Sequence, residues 1–146
     1  MISGVKYTPL KQFKDDRGKV MHMLKATDPY FEKFGEIYFS WIYANKIKAW
    51  SKHLKMSMNY AVPVGNVKVV LFDDRKDSNT CGKIAEYYLG ENNYYLLTIP
   101  NNIWYGIIEV EQSQAMIANC ATIVHDSLEI IKLDPFDPKI PYNWNI

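Results

Sequence analysis

Three histidines, His22, His53 and His125, are the side chains of this 146-residue chain whose ordinary titration falls near neutral pH, and they lie on three separate segments. His53 has the least usual setting, the stretch KAWSKHLK (48–55), where it stands among Lys48, Lys52, Lys55 and Trp50. An imidazole with an ordinary pKa of about 6.5 works as a general base or acid at neutral pH. The two-residue period of a strand sends Ser51, His53 and Lys55 to one face, and Lys48, Trp50 and Lys52 to the other. A bulge would break this parity and let Trp50 reach the His53 side. On these residues alone the stretch fits a catalytic strand, and it also fits a solvated face carrying one satisfied histidine.

Other chemistries find less support. A strand-borne metal centre wants paired histidines on one strand with a carboxylate nearby; there is no H-x-H here, so no metal is expected. Cys81 and Cys120 form no C-x-x-C pattern and read as small buried apolar side chains. His125, beside Asp126, reads as structural, and Asp73, Asp74 and Arg75 as a surface ion pair at a turn.

The elements that must position His53 are strands. Candidates are 5–13, 18–25, 36–43, 47–55, 58–62, 66–73, 83–89, 94–99, 104–109, 115–122 and 128–132, with Gly-, Asn- and Asp-rich turns between them. Only DPYFEKF (28–34) reads as a helix, with Asp28 as N-cap and Pro29 at the first helical position. Many short strands predict an all-β sandwich or barrel in a single domain over residues 1–146. The proline-rich end, DPFDPKIPYNWNI, is expected to lie extended over the body. Apolar content is 48% and aromatic content 14%, enough for a core and for a pocket that stacks flat ligands. Net charge is +1, so no global field points to nucleic acid or an anionic membrane. With no secretory h-region and no long apolar run, the expectation is a cytoplasmic protein.

Several pieces, in order, carry a resemblance: FKDDRGKV (13–20), KAWSKHLK (48–55), VGNVKVVLFDDR (64–75), LTIPNNIWYGI (97–107) and LDPFDPKIPYNW (133–144). Together they resemble the dTDP-4-dehydrorhamnose 3,5-epimerases, whose motifs are F-x-D-x-R-G, R-G-L-H, G-x-V-x-D-V-x-V-D-L-R, I-P-x-G-F-A-H-G-F and a closing D-P-x-x-x-I-x-W. The resemblance implies a cupin jelly roll with little helix, a homodimer, and a nucleotide-diphosphate 4-keto-6-deoxy sugar bound inside the barrel without cofactor. It implies that His53 is the base that removes a hydrogen acidified by the 4-keto group, and that Lys55 stabilises the enolate or meets a phosphate. Arg17 matches an arginine that meets the diphosphate, and its planar fork suits phosphate oxygens. His22 takes the place of a glutamate near the pocket mouth.

The chain departs from those motifs at four places. Trp50 stands where R-G-L-H has its arginine, and is carried as a substrate-binding candidate. Tyr105 replaces the second histidine of A-H-G-F and is the candidate replacement acid. The segment that carries the family's acid tyrosine reads ATIVHDSLE (121–129), without tyrosine. The carboxylate that pairs with the family's base lies beyond the I-x-W tail, whereas this sequence ends at Ile146, so His53 is expected to lack it. The expected function is epimerisation at carbon 3, carbon 5 or both. A 3,4-ketoisomerase, or a sugar-nucleotide-binding cupin with reduced chemistry, are the alternatives.

Overall fold

The computed structural model of the protein describes residues 1–145. Twelve strands carry the chain: β1 (Lys6–Pro9), β2 (Gln12–Asp15), β3 (Gly18–Met21), β4 (Glu36–Ile42), β5 (Ile47–His53), β6 (Met58–Val64), β7 (Asn66–Phe72), β8 (Ile84–Gly90), β9 (Tyr95–Ile99), β10 (Trp104–Glu109), β11 (Ala115–Ala121) and β12 (Ile130–Lys132). They form two five-stranded antiparallel sheets, ordered β1-β9-β6-β11-β4 and β12-β5-β10-β7-β8, with β2 and β3 as a separate hairpin. This is the jelly roll the sequence leads one to expect.

Alternation explains the layering. Val67, Val69 and Leu71 of β7, Tyr60 and Val62 of β6 and Ile117 of β11 face between the sheets and make the main core. A second cluster lies outside the β12–β8 sheet, where Trp50, Trp104 and Val70 receive Ile140 and Trp144 of the C-terminal strap. Trp50 and Trp144 both donate their indole N–H to the carbonyl of Pro135, at 3.0 and 3.1 Å. Gly106 lets the strap approach, because a Cβ there would meet the Trp144 ring at 2.6 Å.

Several expectations are corrected. Residues 28–30 form a bend and turn and 31–34 run irregularly, rather than a helix: the Asp28 carboxylate accepts the Lys25 amide at 2.7 Å, bending the chain backward. One turn cannot propagate there, since Tyr30 packs with Leu10, Met21 and Met23 on the outer face of the first sheet. The strand expected over 5–13 breaks into β1 and β2. β5 stops at His53 rather than Lys55, and the only helical piece among the described residues is a 3-10 turn, Ser127–Glu129. Cys120 is buried as expected, but Cys81 is exposed; both are free thiols. Asp73 and Arg75 pair at a turn, at 2.8 Å, but Asp73 is buried rather than on the surface, and Asp74 pairs with Lys52 instead.

Candidate active site

The two sheets part where their edge strands, β4 and β12, face one another. Two contiguous lobes, of ≈ 390 and ≈ 360 Å³, occupy the gap and share Tyr38 and Tyr105 in their walls. The first holds His53, with Glu36, His125 and Ile130 around it. The second holds Lys48, Ser40, Ser51, Tyr60 and, at the rim, Lys132.

His53 ends β5 and is 4% exposed. Its Nδ1 lies 2.5 Å from Oε1 of Glu129, and its Nε2 lies 3.1 Å from the Tyr105 hydroxyl. Glu129 reaches it from the 3-10 turn, which is started by the Asp126 carboxylate accepting the Leu128 amide at 2.9 Å. The other Glu129 oxygen accepts the backbone N–H of Lys55 at 2.9 Å and of Met56 at 3.2 Å. Burial works to raise the Glu129 carboxyl, but these amides and His53 outweigh it and hold it below the ordinary carboxylate range. A carboxylate held this way accepts the Nδ1–H, so the Nε2 lone pair faces Tyr105 and the cleft. Burial pushes the Tyr105 phenol up to about 12, so it stays protonated and donates to Nε2. The dyad carboxylate that the sequence reading leaves missing is therefore Glu129, supplied from within ATIVHDSLE. An acidic residue three places after an Asp that can cap a turn was the available signal.

The facing wall is β4, whose inward side carries Glu36, Tyr38 and Ser40. Asn119 of β11 donates to the Tyr38 hydroxyl at 2.8 Å. Oε1 of Glu36 is buried with no hydrogen-bond partner among the described residues.

The candidates named from sequence separate. His53 and Tyr105 come together. Lys55 lies past the end of β5 with its side chain exposed, and contributes its backbone N–H to Glu129. A bulge between β5 and β10 sets Ser51 opposite Tyr105 but Lys48 opposite Ile107. Three β5 steps against two on β10 turn Lys48 inward and leave Trp50 outside: Trp50 borders the cavity, yet its indole packs against Trp144 at 4.9 Å between centroids. Lys52 stays outside, paired with Asp74 at 2.9 Å. Arg17, on the β2–β3 hairpin, has a side chain 87% exposed and bonded to Asp15 at 2.7 Å. His22 lines a separate pocket with Phe13, Met23 and Tyr30. Neither borders the cleft of its own chain. Sequence reasoning passed over Glu36, Tyr38, Lys48 as an inward residue, and Glu129.

No family model matches the chain. It is 33% identical to the spore coat polysaccharide biosynthesis protein SpsL of Bacillus subtilis over 147 residues, covering 99% of this chain and 97% of the relative. It is 30% identical to the probable low-salt glycan biosynthesis epimerase Agl13 of Haloferax volcanii over 144 residues, covering 97% and 89%. The crystal structure of a dTDP sugar isomerase from Desulfovibrio desulfuricans G20 superposes with a TM-score of 0.95 at 40% identity, over 98% of this chain and 92% of that one. The dTDP-4-dehydrorhamnose 3,5-epimerase of Bacillus anthracis, solved with TDP and PPi bound, shares the fold: TM-score 0.87, 18% identity, 99% and 86% covered. With relatives matching along nearly its whole length and the motifs falling in order, the chain belongs to the dTDP-4-dehydrorhamnose 3,5-epimerase-like family of sugar epimerases and isomerases.

Proposed function

We propose that the cleft epimerises a nucleotide-diphosphate 4-keto-6-deoxy sugar used in glycan biosynthesis. The observation that carries this is the buried Glu129–His53–Tyr105 chain opening on a cavity. His53 Nε2 takes the hydrogen from the carbon beside the 4-keto group; the C–H electrons form the C=C bond and the carbonyl electrons move to oxygen. Glu129 supports the imidazolium that results. Tyr105, on the same wall as His53, donates its hydrogen bond to the enolate oxygen. The diphosphate lies at the other lobe, where the Lys48 and Lys132 ammonium groups meet it. Lys48 donates to the Ser40 hydroxyl at 3.0 Å, and burial lowers its pKa, so a bound anion would favour its charged form.

The enzyme is proposed to act as a homodimer in the cytoplasm. Ile37, Phe39 and Trp41 on the outward face of edge strand β4, with Tyr43 just past its end, stand exposed as an apolar stripe that a second copy would cover. The free, exposed thiol of Cys81 suits a reducing compartment.

A second reading, a ketoisomerase, is favoured by the 3.1 Å contact of Tyr105 with His53, because moving a carbonyl to the next carbon needs proton carriers on one face. Incubation with dTDP-4-keto-6-deoxyglucose in deuterated water tests both. Label at carbon 3 or 5 with an inverted centre supports the epimerase, whereas a 3-keto product supports the ketoisomerase. His53→Asn should lower exchange by about 10²–10⁴-fold while dTDP binding survives. Absence of label and of any product with every nucleotide tried would sink the enzymatic proposal.

A further inference from the structure

We propose that Tyr38 is the proton donor that faces His53 across the cleft, delivering hydrogen to the opposite face of the substrate carbon. This rests on the epimerase reading above. Inversion needs a base and an acid on two sides of one carbon, and Tyr105 stands on the wrong side: it neighbours β5 in the same sheet and is hydrogen-bonded to the base. Tyr38 belongs to the other sheet, on β4, and lines the His53 lobe.

Its hydrogen-bonding leaves the phenol proton free. Asn119 is fully buried, and its Oδ1 accepts the Asn59 backbone N–H at 3.0 Å. That fixes the amide so that Nδ2 donates to the Tyr38 hydroxyl at 2.8 Å. A phenol that accepts there must send its own hydrogen elsewhere, and among the described residues no acceptor receives it. The free direction is the cleft. Burial raises the Tyr38 pKa, with the Asn119 hydrogen bond opposing it, so the group enters the reaction protonated. Tyr60, the third inward tyrosine, lines only the Lys48 lobe.

The step balances. The enolate carbon takes the Tyr38 hydrogen as the C=C electrons form the new C–H bond, and the carbonyl is restored. Tyr38 is left as phenolate and His53 as imidazolium, and solvent entering the open cleft returns both to their starting states.

The test is Tyr38→Phe, with its melting temperature recorded, assayed on dTDP-4-keto-6-deoxyglucose in deuterated water with product stereochemistry read by NMR. The expected result is loss of inversion by at least about 100-fold, with deuterium still entering, with retention, at the carbon that His53 serves. A merely structural role would lower exchange and inversion together, and that result overturns the proposal. Inversion preserved within threefold overturns it too. Inversion kept by Tyr38→Phe but lost by Glu36→Gln would move the role to Glu36. Wild type that neither exchanges nor inverts refutes the epimerase reading itself, an outcome separate from these.

Discussion

Glu129→Gln changes one atom of the side chain and should nearly silence the enzyme. The two backbone amides of Lys55 and Met56, at 2.9 and 3.2 Å, require an oxygen where Oε2 now sits. The glutamine amide must therefore turn its NH₂ toward Nδ1 of His53, the position now held by Oε1 at 2.5 Å. Two donors cannot share that contact, so Nδ1 gives up its hydrogen and Nε2 acquires it. Nε2 is the nitrogen that must be empty to take the substrate's hydrogen. The equivalent tautomer inversion in serine-protease triads costs about 10⁴ in turnover, so a loss of about 10³–10⁴, or about 4–5.5 kcal/mol of barrier, is expected here. KM should stay close to wild type, because Glu129 supports His53 from behind and does not line either lobe. Initial rates of deuterium uptake, followed by mass spectrometry at saturating substrate, measure the effect. Turnover within tenfold of wild type would refute the tautomer argument.

The same residue sets an acid limit on stability. Its folded pKa lies below the unfolded value of about 4.3, so its contribution is fully present at neutral pH. As pH falls through the unfolded value toward the lower folded one, that contribution disappears. Wild type should therefore lose more melting temperature between pH 5 and pH 3 than Glu129→Gln does, about 1.5–3 kcal/mol being typical of hydrogen bonds to a charged group. Parallel melting curves would contradict this.

Lys48→Ala should raise KM for the sugar nucleotide about tenfold and weaken dTDP binding by calorimetry with little change in kcat; an unchanged KM would remove Lys48 from the diphosphate end. Phe39→Asp combined with Trp41→Asp should give monomers in sedimentation velocity, since two carboxylates would be desolvated in the proposed interface. A sedimentation coefficient equal to wild type would place the interface elsewhere.

Strand periodicity made the fold legible. VKVVLF at 67–72 alternates apolar residues into the core and out to the strap, and the ordered motifs placed it in a jelly roll. His53 and Tyr105 were legible from those ordered motifs, which put each at an inward position of its strand. Glu129 was not, because 128–132 reads as a strand while the structure starts β12 at Ile130 and places Glu129 in a three-residue turn on which its buried carboxylate depends. Tyr38 and Glu36 were hidden in EIYFSWI (36–42), where apolar Ile37, Phe39 and Trp41 mark the outward face instead of the inward one. A reader who takes apolar for core assigns that strand the wrong way round.

The bulge in β5 explains why KAWSKHLK defeated simple parity. Without it, Lys48, Trp50 and Lys52 share the outer face. With one extra residue opposite Gly106, Lys48 turns inward beside Ile107 while Ser51 and His53 keep their inward places. Trp50 stays outside, where its indole and that of Trp144 hold the strap through Pro135. The family motif has an arginine at position 50; here that position serves the outer cluster, and a cation bordering the cleft, Lys48, stands two residues earlier. Deleting Ala49 would remove the bulge and leave Lys48 two regular steps before Ser51, still inward, whereas a regular strand of the present length would turn it outward and withdraw its charge from the cavity. The anion-binding role proposed for Lys48 thus depends on a backbone irregularity as much as on the lysine.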